Sequence, residues 1–253
     1  MTYPTIRPEL TLDFANSRQL DPRITFSRSS SATYLNPDTG LITLASDHEA
    51  RFEKEGLLIE ESRTNLQPYS QEFDNAAWSK FGSSITANSV AAPDGTMTAD
   101  TLTGDGTAST LKYVISNIDG QPDIFWQHTC YFKKGTNDFV QMAVGGISSI
   151  YANFDLNTGT LGSYGSFANM QVPTITKVGN NGWYRCTLAF DLSGGSNKNA
   201  VPVFAIVSSS TSPRLEANSL STTVHLWGAQ VEEGSFPTSL IPTSGSTVTR
   251  SQD

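Results

Sequence analysis

Three predicted β-strands carry aromatic and polar side chains that alternate along the chain, over residues 126–133, 183–190 and 224–231. If these strands share one sheet, alternation places their more polar set on the outer face. An aromatic ring can stack on the apolar face of a sugar, while amide and cationic groups bind its hydroxyls. The residues predicted to bind carbohydrate in this way are Gln127, Tyr131, Lys133, Arg185 and Trp227.

The opposite face of the first two strands is more apolar and is expected to form the core. The sets predicted to point inward are Trp126, His128, Cys130 and Phe132, and Tyr184, Cys186, Leu188 and Phe190. His128 is therefore interpreted as a hydrogen-bonded core histidine. In the third strand, polarity does not decide which set points inward. Trp183 and Trp227 have an alternative role as packing residues, because tryptophan is usually largely buried.

Recognisable catalytic motifs are absent from the sequence. It has no Gly-x-Ser-x-Gly elbow, no His-Glu-x-x-His motif and no phosphate-binding glycine loop before a helix. The three histidines, His48, His128 and His225, lie in different settings and do not suggest a triad. A glycosidase needs two carboxylates across a cleft, and the acidic residues offer no preferred pair. We therefore expect a non-enzymatic protein.

The net charge is −8, from 24 acidic and 16 basic residues, and Lys and Arg form no block. Nucleic-acid binding is disfavoured, because phosphate contacts need clustered cations. No apolar run approaches the roughly 20 residues of a membrane-spanning helix, and the first residues lack the features of a signal peptide. Cys130 and Cys186 lie in apolar runs, which predicts buried thiols or, if their strands are neighbours, a disulfide.

Short runs of strand character alternate with turn signals, and no helical period extends over three turns. We expect an all-β fold: a jelly-roll β-sandwich over residues 65–243, followed by a tail over residues 244–253. An N-terminal arm and small β subdomain would occupy residues 1–64, with strands at Thr11–Phe14 and Ile24–Arg28 among others. Because this subdomain is too small for a large core, it should pack on the main domain or on a neighbouring subunit.

Charged side chains stand among apolar neighbours in the N-terminal subdomain. They are Arg28, Glu60, Glu61 and Arg63. Most such charges are solvated or paired locally. We expect structural ion pairs and backbone hydrogen bonds here, with a ligand-binding role as the alternative.

Several segments resemble a known type of protein. The phrases ITFSRSSSATYLN (24–36) and GLLIEESRTNL (56–66), and the later WGAQVEEGSFPTSLIPTSGSTVTR (227–250), resemble the leader and tail that flank jelly-roll modules in tailed-phage virion proteins. NLQPYSQEFDNAAW (65–78) is similar to the opening of family-four and family-nine carbohydrate-binding modules. The resemblance implies a carbohydrate-binding-like jelly roll.

The resemblance also implies a metal site. Modules of this kind often hold a structural calcium near the place where the first and last strands meet. Calcium binds six to eight oxygen atoms. The oxygen ligands in roughly those places are Glu72, Asp74, Glu232 and Glu233. The alternative is that these four carboxylates are solvated surface acids.

On function, the resemblance implies a non-enzymatic structural protein of the virion, on the tail or the head, that adheres to a glycan on the host surface. The alternative is a capsid decoration or cement protein that uses the same fold only for protein–protein contacts. A third interpretation, a polysaccharide-degrading enzyme, would need the carboxylate pair described above.

The expected partners are other virion proteins and a host-surface glycan, with no nucleic acid. A homotrimer would match the symmetry of many virion appendages, although the sequence has no heptads. The protein would be assembled in the host cytoplasm. Because the sequence stops at Asp253, soon after the tail block, we expect the leader and module to be the whole protein, a compact accessory subunit.

Overall fold

The computed structural model describes residues 12–116, 118, 124–192 and 201–253. The predicted all-β sandwich is confirmed: two six-stranded antiparallel sheets pack face to face, and small hairpins precede them. The predicted N-terminal arm (residues 1–10) and the predicted loop Ser193–Asn199 lie outside the described residues. No helix of the described part of the chain is long and apolar enough to cross a membrane.

From residue 12 onward, where the structure describes it, the N-terminal subdomain contains one helical turn and five short strands. They are α1 (Phe14–Ser17), β1 (Ala32–Leu35), β2 (Ile42–Ala45), β3 (Arg51–Glu53), β4 (Gly56–Leu58) and β5 (Arg63–Asn65). β1 pairs with β2 and β3 pairs with β4, each antiparallel.

The remaining strands form the sandwich and a final pair with β5. They are β6 (Trp78–Phe81), β7 (Ser83–Val90), β8 (Ala99–Gly104), β9 (Tyr113–Ser116), β10 (Phe125–Lys134), β11 (Phe139–Val144), β12 (Tyr151–Asp155), β13 (Thr160–Tyr164), β14 (Thr174–Val178), β15 (Trp183–Asp191), β16 (Pro202–Ile206), β17 (Thr223–Glu233) and β18 (Val248–Arg250). β18 pairs with β5, so the C-terminal strand lies beside the last strand of the N-terminal subdomain.

Strand order identifies the sandwich as a jelly roll. One sheet, here the front sheet, has the order β14-β15-β10-β17-β8-β7, and the back sheet has the order β13-β12-β11-β16-β9-β6. The chain crosses between the two sheets from β6 to β7, at each step from β8 to β11, from β13 to β14, and at each step from β15 to β17. This repeated crossing makes the double-sheet Greek-key pattern of jelly rolls. β17 lies between β10 and β8, so a late strand closes the front sheet on an early one.

The core between the sheets contains the side chains that alternation predicted. Trp126, Cys130 and Phe132 of β10 lie in it, together with Cys186, Leu188 and Phe190 of β15. His128 is also buried and packs edge-on against Phe190 at a centroid distance of 4.9 Å. Cys130 and Cys186 lie opposite each other on the adjacent strands β10 and β15, and both are free thiols. Burial raises the pKa of both thiols well above the usual value.

A second, smaller core lies on the outer face of the front sheet. Ile42 of the N-terminal subdomain packs there with Tyr131, Val178, Trp183 and Trp227 of the sheet, among others. The N-terminal subdomain therefore packs on the main domain, one of the two arrangements that its size predicted.

Hydrogen bonds hold the N-terminal subdomain in this place. The Thr33 hydroxyl donates to the Leu240 carbonyl at 2.6 Å, and the Ile42 amide donates to the Pro93 carbonyl at 3.0 Å. At the far end of the hairpin, the turn glycine Gly40 packs directly on Gly179, where a Cβ would collide with the Gly40 carbonyl.

Two strands predicted in the N-terminal subdomain are absent. Residues 24–28 form no strand, and Phe14 begins the helical turn α1 instead of ending a strand. The turn is closed locally: the amide of Ser17 donates to the Asp13 carbonyl, and the side chain of Asn16 donates to the Asp13 carboxylate. These local hydrogen bonds compete with pairing to a neighbouring strand, and apolar pattern alone does not reveal them.

Candidate functional site

The residues predicted to bind carbohydrate come together on one sheet face. β10 pairs with β15 on one side and with β17 on the other. In this register Tyr131 lies directly opposite Arg185 and directly opposite Trp227, so the three side chains form one row across the front sheet. Gln127 and Lys133 lie on the same strand as Tyr131, at positions of the same parity.

Three of these residues are buried, although the sequence predicted them to be exposed to solvent. Gln127, Tyr131 and Trp227 are only 1%, 3% and 1% exposed, because the N-terminal subdomain and the segment 237–243 cover the face. The Gln127 side chain is hydrogen-bonded to the His128 carbonyl at 2.9 Å. Carbohydrate binding by these residues stays a prediction, whereas their predicted exposure is wrong. Lys133 and Arg185 are half-buried.

The two tryptophans of this face are packing residues, which was the alternative interpretation. Trp183 and Trp227 are both buried in the outer core. Their indole nitrogens have partners there: Trp183 Nε1 donates to the Ala91 carbonyl at 3.0 Å, and Trp227 Nε1 donates to the Thr98 hydroxyl at 3.1 Å. A buried indole N–H needs such an acceptor. Both rings are covered in this structure.

A β-bulge at Gly228 explains why polarity could not assign the faces of β17. The register with β10 shifts between Thr129 and Tyr131, and Gly228 has a φ of +64°, which glycine adopts readily. Before the bulge Leu226 points into the main core, and after it Ala229 does so. A strict two-residue period places these two residues on opposite faces.

A pocket of about 650 Å³ lies between the N-terminal subdomain and the outer face of the front sheet. Its floor contains Tyr131 and Arg185, two of the residues predicted to bind carbohydrate, together with Leu240. The N-terminal subdomain supplies one wall, which includes Tyr34 and Glu53. This volume is in the range of pockets that bind small molecules, about 300–1,000 Å³.

Two polar side chains of the pocket already form hydrogen bonds within the protein. Arg185 Nη2 donates to the Thr238 carbonyl, and the Leu35 amide donates to Glu53 Oε1 at 2.8 Å. Burial raises the pKa of the Glu53 carboxyl above its usual value. Burial likewise raises the pKa of the Tyr131 hydroxyl, although the nearby Arg185 opposes the rise. Tyr131 therefore stays a neutral hydroxyl at physiological pH.

The sequence interpretation missed the wall of this pocket. Tyr34, Asn36, Glu53 and Lys54 come from the hairpins of the N-terminal subdomain, for which the sequence predicted only packing on the main domain or on a neighbouring subunit. A weak signal was present, because Ala32–Leu35 and Leu41–Leu44 flank the Asn-Pro-Asp-Thr-Gly turn of a hairpin. Such a hairpin needs a surface for its apolar face, and the outer face of the main sheet provides it.

The four carboxylates proposed as calcium ligands do not form a common site. Among the described residues, no three His, Cys, Asp or Glu side chains come close enough to hold a metal ion. Glu232 is buried and accepts hydrogen bonds from the Gln230 amide and from the backbone and hydroxyl of Thr238. Glu72 accepts from the Ser244 hydroxyl at 2.7 Å, while Asp74 and Glu233 are exposed. These hydrogen bonds give Glu232 a structural role.

The charged residues of the N-terminal subdomain form ion pairs, as expected. Arg28 pairs with Asp253 at 2.9 Å, Arg51 pairs with both Asp253 and Glu60, and Arg250 also pairs with Glu60. These side chains are almost fully buried, and they tie β3 to the final residues of the chain. Arg63 pairs with Glu61 nearer the surface. The prediction of structural ion pairs at Arg28, Glu60, Glu61 and Arg63 is confirmed.

No protein-family model matches the sequence, and no curated protein sequence matches it. Solved structures do resemble the fold. The enzymatically active domain of bacteriophage CBA120 tailspike protein 4 is 14% identical, with a TM-score of 0.34 over 65% of this chain. The chain spans only 20% of that protein.

Two xylan-related structures are similar over comparable lengths. The CBM22-2 xylan-binding domain of Paenibacillus barcinonensis Xyn10C is 4% identical, with a TM-score of 0.39 over 68% of this chain and 98% of that domain. The CBM22-1–GH10 modules of Clostridium thermocellum xylanase 10B are 11% identical, with a TM-score of 0.34 over 67% of this chain and 28% of that protein.

Proposed function

We propose that the protein is a non-enzymatic structural protein of a tailed-phage virion, and that it binds a host-surface glycan in the pocket between its N-terminal subdomain and its front sheet. The observation that supports glycan binding most directly is the composition of this pocket. Tyr131 and Arg185 meet on its floor, and Tyr34, which is half-buried, stands on its wall. Apolar floor residues with a few convergent polar groups are typical of ligand sites.

The virion context of the proposal rests on sequence. The segments 24–36, 56–66 and 227–250 resemble the leader and tail of virion proteins. In the fold these segments are neighbours, since β18 pairs with β5 and the Thr33 hydroxyl donates to the Leu240 carbonyl. The resembling segments thus form one structural unit, which also carries one wall of the pocket. Assembly as a homotrimer stays a prediction that light scattering of the purified protein tests.

The test is binding to a glycan array and to polysaccharide from the host envelope. Wild type is compared with Tyr34→Ala, which removes the wall aromatic, and with Tyr131→Phe, which removes the floor hydroxyl. Tyr164→Ala is the matched control, because Tyr164 is 44% exposed and does not line the pocket. We expect wild type and Tyr164→Ala to bind equally and Tyr34→Ala to bind at least tenfold more weakly. Absence of wild-type binding to any glycan would refute the proposal.

The runner-up function, capsid decoration, has its own supporting observation. Leu44, which is 62% exposed, and the exposed Val248 line a groove of about 210 Å³ between the N-terminal subdomain and the C-terminal segment of the chain. Exposed apolar side chains next to each other are common at protein–protein contacts. Co-sedimentation of the protein with purified capsids, compared with a Leu44→Ser variant, tests this function separately from glycan binding.

A further inference from the structure

The pocket between the N-terminal subdomain and the front sheet has a charge that differs from that of the whole chain. The protein has a net charge of −8, yet the pocket is lined by four cations, Arg18, Lys54, Lys177 and Arg185, and by two carboxylates, Glu53 and Glu55. A cationic pocket on an acidic protein focuses anions locally.

Three of these four cations form no direct ion pair, although the charge of Arg185 acts on the Glu53 carboxylate. Arg18 pairs with Asp38 at the edge of the pocket. Within the described part of the chain, Lys54, Lys177 and Arg185 form no ion pair. By contrast, the buried arginines Arg28, Arg51 and Arg250 all have carboxylate partners. Lys80, Lys133 and Arg214 also form no ion pair among the described residues, so three of the six unpaired cations line this pocket.

Arg185 is the best-placed cation for recognition of an anion. It lies next to Tyr131 on the pocket floor, and its Nη2 is held by the Thr238 carbonyl. Its Nε is buried and has no hydrogen-bond partner within the described part of the chain, so it is not a donor that a ligand can reach. A guanidinium held in this way is oriented before a ligand arrives, and its planar donors match a carboxylate better than a lysine ammonium does. Lys177 of β14 lines the same pocket and is exposed.

We infer that the pocket selects acidic saccharides that carry a carboxylate, such as uronic-acid oligomers, that Arg185 binds that carboxylate, and that Lys177, on the edge strand β14, adds positive charge at the rim of the pocket. The inference rests on the proposed glycan-binding function and narrows it to one class of glycan. The two carboxylates oppose the selection. Glu53 accepts from the Leu35 amide and interacts electrostatically with Arg185, while the charge of the exposed Glu55 is screened by solvent, as are the charges of the exposed Lys54 and Lys177.

The experiment compares each acidic oligosaccharide with its own neutral methyl ester. Oligomers of galacturonate, glucuronate and mannuronate, and their methyl esters, are titrated into the protein by calorimetry. Esterification removes the charge and keeps the sugar ring and linkage. We expect at least one acid to bind about tenfold more tightly than its ester, the size of a charge-assisted hydrogen bond. Raising the salt concentration from about 0.05 M to about 0.5 M should weaken binding of the acid and leave binding of the ester unchanged.

Two variants locate the contact, and one serves as the control. Arg185→Gln should reduce the preference for acid over ester to less than threefold. Lys177→Gln provides the same test at an exposed position that does not risk the fold. Lys134→Gln removes an exposed lysine that does not line the pocket, and it should bind like wild type.

The outcomes separate this inference from the proposed function. If esters or other neutral glycans bind as tightly as acids, or if both Arg185→Gln and Lys177→Gln keep the wild-type preference, the inference is overturned while glycan binding stands. If no saccharide, acidic or neutral, binds the wild-type protein, both are overturned.

Discussion

Tyr131 and Trp227 face each other across neighbouring strands of the front sheet, with ring centroids 5.5 Å apart and ring planes at 71°. The edge-to-face pair is covered by the N-terminal subdomain, and of the two only Tyr131 lines the pocket. The two aromatic residues therefore have different roles, although both were predicted to bind carbohydrate. Trp227 holds the outer core together, and Tyr131 connects that core to the candidate site.

Substitutions of these two residues should separate stability from binding. Trp227→Ala leaves a cavity in the outer core and should lower the free energy of unfolding by about 3–5 kcal/mol. Tyr131→Phe keeps the ring contact and should change the free energy of unfolding by less than about 1 kcal/mol. Urea denaturation measures both values. A Trp227→Ala variant as stable as wild type would show that the outer core contributes little to the fold.

The bulge in β17 should be sensitive to any side chain at Gly228. A Cβ there would lie 2.9 Å from Tyr131 Cδ2, and the φ of +64° is unfavourable for other residues. We expect Gly228→Ala to destabilise by about 2–4 kcal/mol, which combines backbone strain with the steric contact. Gly106→Ala is the matched control, since its φ is +74° and its Cβ would meet Ser221 at 3.4 Å. The control should lose only about 1–2 kcal/mol of stability, from backbone strain alone. Equal losses of stability for both variants would contradict the role of Tyr131.

The buried ion pairs should make Asp253 essential for stability. Its carboxylate accepts from Arg28, from Arg51 and from the Glu60 amide. Asp253→Ala leaves two buried guanidinium groups without this partner and should cost about 3–5 kcal/mol. Asp138→Ala, which breaks an exposed pair with Lys134, should cost less than about 1 kcal/mol. If the two variants are equally stable in thermal and urea unfolding, the network does not hold the N-terminal subdomain in place.

Asp100 should give stability a distinct dependence on pH. Burial, although opposed by hydrogen bonds from the Asn88 and Phe73 amides, raises the pKa of Asp100 from 3.8 to about 6. The folded state thus holds this proton more tightly than the unfolded state. Its contribution to stability is fully present below pH 3.8 and is lost as the pH rises through about 6.

Asp100→Asn removes this titration and isolates its effect. Between about pH 7 and about pH 4.5, wild type should gain stability relative to Asp100→Asn by about 2 kcal/mol. Glu60 changes in the opposite direction and at lower pH. Burial would raise its pKa, but the Arg250 charge and the Ser239 hydrogen bonds outweigh burial, so the pKa is lowered. A constant difference between wild type and Asp100→Asn across this range would contradict the raised pKa.

Sequence patterns predicted the sandwich and its main core because strand alternation is a local signal. β10 and β15 have uninterrupted alternation, and their inward residues were assigned correctly. β17 was ambiguous because the bulge at Gly228 reverses its alternation. The exposure of Tyr131 and Trp227 was mispredicted for another reason. Burial of an outer face depends on which distant segment packs over it, and the contacts of Ile42 and Leu240 with this face leave no periodic signal in the chain.

The central claim, that a glycan binds between the N-terminal subdomain and the front sheet, is tested most directly by hydrogen–deuterium exchange with and without a bound glycan. Binding should slow exchange of backbone amides in the β1–β2 hairpin, in β3 and in β14–β15, which line the pocket. The back sheet, including β11 and β12, should be unchanged. Protection confined to the back sheet, or to the open edge near Phe81 and Tyr113, would place the glycan elsewhere and contradict the account.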